Sequence, residues 1–446
     1  MTQDIKCSFV AGEVVAPGAD LVIHVARPVN KQIAEAAIAL QKGGNSVPAP
    51  FTCNAEDGTL KLCTEDLTPG RYNVRAIGNI FLDDPASVLD LADSQAVSRA
   101  DQAHALGFTG RGVHVAVFEN GPADLTDLAF AGRWTPNPSA DDDEKKHSRL
   151  TSGIIKNTEP NKPHGYAPDC ELYSANSRDN AALLWANPTT PHGDREQPEI
   201  AANGTIVTAV GQTMSGTSFA APAVAGAVAV IQSVDGVLKS WPEGCRAILL
   251  ATADRNIQGG TWPGDRAQGL DQADGAGALN AQGAVLVAQS RAQRNNATAL
   301  TRGWDVGTLY KTDFDASTRD STFRYHLQVP TPGRFQLPAR RYVIKAALAW
   351  DGKVTVNDAG TATASVLAND LDLVVLKDGV QVAASATYDN SYEIVEFSGI
   401  KGATYEIVVR NWRWDEGVSS LWFGIAWNVT SYWDFNFPTP VGLETV

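Results

Sequence analysis

The stretch MSGTSFAAPAVAGAVAVIQ, from Met214 to Gln232, limits the folds open to this chain more than any other. Its first residues are small and polar, and the remainder is almost wholly Ala and Val. The apolar run from Phe219 to Ile231 is too short to span a bilayer. A helix apolar on every side must be covered on every side, so the pattern predicts a central core helix, buried all round. Ser218 stands at its mouth. It reads either as an N-cap, whose hydroxyl satisfies an orphan amide, or as a nucleophile at the positive end of the helix dipole, where an oxyanion is favoured. Pro222 fits near the first turn, where amides have no intrahelical partner. The small residues Gly216, Thr217, Ala220 and Ala221 let another segment approach closely.

The 446 residues suffice for two to four domains. With 43% hydrophobic residues they can build real cores. A formal net charge of −14 argues against nucleic acid or an anionic membrane as partner. No apolar run reaches the length of a transmembrane helix. The start, MTQDIKCSFVAGE, lacks a basic segment followed by an apolar run, so no signal peptide is read there. The five cysteines, at 7, 53, 63, 170 and 245, cannot all pair within one chain. Cys53 and Cys63 flank the turn-like NAEDG and either bridge a hairpin or, as favoured, stand as two thiols across it. No CxxC or His/Cys cluster suggests zinc.

Three textures follow one another. Residues 1–82 alternate in short β-type runs, with NKQIAEAAIALQKGG at helical spacing, and read as an Ig-like β-sandwich or as an α+β pro-segment. Residues 83–292 read as α/β, because the continuous apolar strand VHVAVF and the strand CELYSAN interleave with helical segments. Residues 303–446 return to β texture and read as a second β-sandwich, reached through the linker SRAQRNNATALTRGW.

A nucleophilic serine needs a base, and the base needs an orienting acid. His147 precedes SRLTSGII, at the head of a helical segment. Glu119 directly follows VHVAVF, where a parallel strand would emerge at the carboxyl edge of the sheet. Asp124 and Asp127 are rival acids further along the same loop. His24, His114 and His326 read as structural, while His164 and His192 lie beside Gly in loops and either line a cleft or do not.

GTSFAAPAVAGAVAVIQ resembles the serine block of the subtilisin-like serine peptidases, the subtilases. GFTGRGVHVAVFENG is similar to their first strand and acid-bearing turn, and HSRLTSGII with HGYAPDCELYSAN to their histidine helix and the strand entry after it. PEIAANGTIV, WPEGCRAILLATA and DGAGALNAQGAV resemble further elements, so that the likeness covers about 95 to 288. AALAWDG and NDLDLVVLKDG resemble the β-sandwich that follows the catalytic domain in some alkaline subtilases. The segment 26–76 looks like bacterial Ig-like modules appended to enzymes.

The resemblance implies an α/β fold with a subtilisin-like parallel sheet flanked by helices, between two β-sandwiches. It implies peptide-bond hydrolysis through an acyl-enzyme, with Ser218 as nucleophile, His147 as general base and Glu119 at the position where the family has Asp. It implies a protein or peptide substrate, no nucleic-acid or membrane partner, and a secreted or cell-surface location. It requires no cofactor. A structural calcium at Asp370 and Asp372 is an alternative to the favoured reading, two Asp on the solvent face of a strand.

Three departures bear on activity. Glu is one methylene longer than Asp. Ser148 and Arg149 stand where the family has Gly and Thr. Only 71 positions separate His147 from Ser218, a shortened interval that must supply the substrate edge and the oxyanion donor. Asn187 is the best stand-in for that donor, against a plain loop Asn before Pro188. The rival reading is a catalytically impaired homologue acting as a binding or structural module.

Overall fold

The computed structural model describes residues 91–119, 142–176, 198–254, 275–331, 340–357 and 362–433, and the backbone of strands before and between them. Near the N-terminus, β1 (Ile5–Cys7), β2 (Leu21–Val25), β3 (Ile38–Lys42), β4 (Asn45–Val47), β5 (Phe51–Asn54), β6 (Thr59–Leu62) and β7 (Tyr72–Ala76) form two antiparallel sheets. Their orders are β1-β2-β6-β5 and β4-β3-β7. The helical spacing read in NKQIAEAAIALQKGG is overturned at β3, which pairs antiparallel with β4 and β7. Ile38 and Leu40 alternate with Ala39 and Gln41, a two-residue period that suits a strand. Cys63 and the side chain of Cys53 lie outside what is described, and with them the choice between a bridge and two thiols.

The middle region holds β8 (His114–Glu119), β9 (Phe130–Trp134) and β10 (Glu171–Asn176), with β10 central and parallel to both neighbours. Helices α1 (Leu91–Ser98), α2 (Ala100–Ala105), α3 (Asp142–Lys156), α4 (Thr217–Val234), α5 (Pro242–Thr252) and α6 (Ala281–Ala288) accompany it, with the hairpin β11 (Val207–Ala209) and β12 (Gln212–Met214). Two burial expectations fail here. β8 alternates exposed and half-buried positions, as the edge strand of the described sheet. The apolar helix α4 is buried along one stripe, through Phe219, Pro222, Ala223, Gly226, Ala227 and Val230, while Val224, Ala225 and Val228 are half-buried. Small side chains such as Ala expose little apolar area, so apolar composition does not by itself require burial all round. By length and composition α4 could cross a membrane, but in this fold it packs against α3 and α6.

The C-terminal region holds β13 (Arg302–Leu309), β14 (Tyr325–Gln328), β15 (Arg340–Trp350), β16 (Lys353–Val356), β17 (Ala362–Val366), β18 (Asp370–Lys377), β19 (Val380–Ser385), β20 (Tyr392–Gly399), β21 (Thr404–Arg413) and β22 (Leu421–Trp433). Two antiparallel sheets, β13-β22-β15-β20 and β14-β21-β18-β19, enclose one core that includes Ile344, Leu348, Leu373, Val375, Ile407 and Ile425. β16 and β17 form a separate hairpin.

The continuous apolar run of β15, YVIKAALAW, has a definite cause. Ile344, Ala346 and Leu348 face the core between the two sheets, and Ala347 and Ala349 face the core of the α/β region. A strand covered on both faces loses the alternating pattern. Helix α5 provides that second cover. A Cβ at Gly424 of β22 would lie 2.4 Å from the backbone of Glu243 on α5, so only glycine permits this approach.

Polar clamps close the same seam. Arg246 of α5 grips Glu199 with two bonds of 2.6 and 2.7 Å, donates to Ser391 Oγ at 2.8 Å and lies over the Tyr392 ring. Lys345, almost fully buried, donates to the carbonyls of Ala253 and Ala276 and lies 3.5 Å from the Glu396 carboxylate. The segment read as a linker is hydrogen-bonded to its surroundings: the Ala292 amide donates to the Trp304 carbonyl, the Trp304 amide to the Ser290 carbonyl and the Leu300 amide to the His326 carbonyl.

Asp370 and Asp372 are buried rather than solvent-facing, because β18 is covered on both faces, with Leu371 and Leu373 in the core and the two Asp alternating with them on the other face. Burial raises the Asp372 carboxyl to about 6 despite the nearby Arg410. Glu393, also buried, is pushed up to about 8 by loss of solvent, even though Thr387 donates its amide and hydroxyl at 2.7 and 2.6 Å and Ser385 donates its hydroxyl. The folded state therefore holds the Glu393 proton to a higher pH than the unfolded chain, whose value is near 4.5. The stability contributed by that proton is present below the unfolded value and falls as pH rises towards 8. Glu393→Gln is expected to flatten this fall, measured as the change in urea midpoint between pH 5 and pH 8.

Candidate functional site

The C-terminal ends of β8 and β10 lie side by side, with Glu119 in register with Asn176. Glu119 is the last residue of β8, and its side chain is about three-quarters buried. Opposite stands His147. It lies on the second turn of α3, because the helix begins at Asp142 rather than at the histidine. Extending the helix upstream fixes the His147 backbone on both sides, where a helix start would leave it on the fraying turn. The Glu119 Oε2 to His147 Nδ1 distance is 3.2 Å. The longer acid therefore meets the imidazole without clash, and the ring's Nε2 is left to face elsewhere.

Ser218 opens α4. The N-cap is Gly216, not Ser218, which is the second helical residue and solvent-exposed. The cap reading of Ser218 is thus overturned, since only a residue before the first helical turn can cap it. Pro222 sits at the sixth helical position. Its missing amide would have bonded the carbonyl of Ser218, so proline there releases that carbonyl from the helix ladder. The Ser218 amide lies in the first turn, at the positive end of α4. Among the described residues no hydrogen bond joins Ser218 to His147. Such bonds are often long before substrate binds.

Two features fix the serine turn. The Gly216 amide donates to the Gly204 carbonyl at 2.7 Å, and a Cβ at Gly204 would lie 2.4 Å from the Gly216 carbonyl oxygen. Upstream of Gly204, Glu199 and Ala201 bond to 276–279, and Glu199 is held by Arg246. The nucleophile candidate thus connects through backbone to the seam with the C-terminal sheets.

Phe219 was not singled out from the sequence. It is buried, and its ring centroid lies 5.2 Å from that of His147, tilted by 49°. The signal was a large aromatic in a block otherwise made of small residues. Asn187, Asp124, Asp127 and His192 lie outside the described residues. His164 is exposed, and His114 lies 3.3 Å from Glu171 at the far end of β8. Cys170 and Cys245 are free, buried thiols raised to about 11 and about 12 by burial, which keeps them protonated and unreactive. Among the described residues no group of three or more His, Cys, Asp or Glu comes together to hold a metal.

Gly204→Ala is expected to displace the serine turn, since the new methyl has only backbone to push against. The measurement is loss of reaction with a serine-directed probe while the urea midpoint shifts by about 1–3 kcal/mol of stability.

Comparison with curated proteins gives no match. Among solved structures, the crystal structure of MycP1 from the ESX-1 type VII secretion system is 16% identical, with TM-score 0.31, over 43% of this chain and 85% of that one. The MycP3 protease from the ESX-3 type VII system is 15% identical, with TM-score 0.30, over 45% and 89%. The pre-peptidase C-terminal domain of collagenase from Bacillus anthracis is 11% identical, with TM-score 0.16, over 30% and 91%. Residues 185–284, which include Ser218 but neither Glu119 nor His147, match the family model Peptidase_S8, the Subtilase family.

Proposed function

We propose that the protein is a serine endopeptidase. Ser218 attacks the peptide carbonyl, His147 takes the hydroxyl proton at Nε2, and Glu119 holds the imidazole through Nδ1. The proton then passes from His147 to the leaving amine, and water hydrolyses the acyl-enzyme by the same route in reverse. The observation that carries this reading is the 3.2 Å contact between Glu119 and His147, combined with the subtilase match around Ser218. Acid and base lie outside that match, so their geometry is independent support.

The Ser218 amide, at the positive end of α4, is one donor to the oxyanion in this reading, and Asn187 is the second. The substrate is a protein or peptide, and the location is secreted or at the cell surface. The small residues before Ser218 leave room for an extended peptide to approach.

A fluorophosphonate probe tests the assignment. Labelling of the wild type, absent in Ser218→Ala, is expected; labelling no stronger than in that variant sinks the peptidase reading. Glu119→Gln should leave the fold intact and lower kcat by on the order of 10³–10⁴, because the amide no longer selects the productive tautomer. Asn187→Ala should lower kcat by about 10²–10³ with little change in KM.

A further inference from the structure

We propose that Phe219 is a positioning residue for His147 and that its ring stabilises the imidazolium formed when the proton is taken. This inference rests on the peptidase reading and deepens it. The centroid separation of 5.2 Å, with the planes inclined by 49°, lies within the distance over which a cation is attracted to an aromatic ring. Phe219 is itself buried and is carried by the same helical turn as Ser218, so base and nucleophile are referenced to one rigid element. The imidazole is thus held by two groups. Glu119 fixes Nδ1 from β8, and Phe219 limits rotation of the ring plane from α4.

The surrounding charges leave this contact a clear role. Helix α4 carries no charged residue, and neither do β11 and β12, which also pack against α3. On β8 the ionisable groups are Glu119 and His114. On β10 the groups are Glu171, at the opposite end of the strand and beside His114, and Tyr173, whose hydroxyl donates to Glu171. On α3 itself, Asp143 and Lys146 pair with each other at 3.2 Å, and the helix's other charged residues are Asp142, Glu144, Lys145, Arg149 and Lys156. Glu119, at 3.2 Å from Nδ1, and the Phe219 ring, at 5.2 Å between centroids, both lie against the imidazole and both favour its positive charge.

Two variants separate electronic from steric effects. Phe219→Leu keeps an apolar side chain but removes the aromatic face, and Phe219→Tyr keeps the face. In Phe219→Leu, kcat is expected to fall about three- to thirtyfold with KM unchanged. The midpoint of the His147 ring-proton NMR titration should move down by about half a pH unit or more. Phe219→Tyr should restore both. The NMR reading needs no turnover, so it separates this inference from the peptidase assignment, which stands or falls on Ser218 labelling. An unchanged His147 midpoint in a folded Phe219→Leu variant overturns the proposal, as does an equal loss in Phe219→Tyr.

Discussion

Helix α5 is held between two bodies, and much else follows from that. One side meets α6 and α4 in the α/β core, and the other lies on β15 and β22. Trp304, Ala347, Ala349, Tyr392 and Ala426 belong to the same apolar core as Leu150, Ile154 and Ala227. Apolar burial of this extent outweighs any single polar contact, at about 25 cal/mol for each Å² removed from water. The polar clamps add register. Arg246 cannot satisfy Glu199, Ser391 and the Tyr392 ring at once unless the helix and the sheet stand in one relative position. Lys345 does the same at the far end of the helix, where cationic charge also suits the terminal carbonyls.

The candidate site inherits this rigidity. The segment from Glu199 to Gly204 is bonded to 276–279 on one side and supports the Gly216 turn on the other. Ser218 projects from the first turn of its helix beside the bulky Phe219, with Pro222 freeing one carbonyl beneath it. Glu119 and His147 approach from a different pair of elements, β8 and α3. The positions of Ser218 and His147 are therefore set by the packing of α3 against α4, and the Phe219 ring lies next to the imidazole.

Much of this was legible in the sequence, and the parts that were not have physical reasons. Local chemistry announced the strand before Glu119, the helix through SRLTSGII and the helix after Ser218, because turn residues and apolar runs mark element ends. Extent of burial was harder. VHVAVF and the Ala/Val helix read as fully covered, yet β8 alternates and α4 has a half-buried face. Small apolar residues tolerate both settings. NKQIAEAAIALQKGG read as helical because Ala and Gln favour helices, but at Ile38–Lys42 pairing with β4 and β7 overrides propensity. The alternating Asp370 and Asp372 resembled a solvent face, but β18 is covered on both faces.

The sequence by itself determined the types of the chemical groups, their chain order and the small residues around Ser218. It left open whether an apolar run such as YVIKAALAW would be covered on one face or both. Tertiary structure alone decided that Glu119 reaches His147, that Phe219 flanks the imidazole, and that the second cover of β15 is α5. The division has a simple cause. Propensity and periodicity act over a few neighbouring residues, whereas each of these contacts joins segments tens of residues apart, and only the packing of whole elements sets such distances.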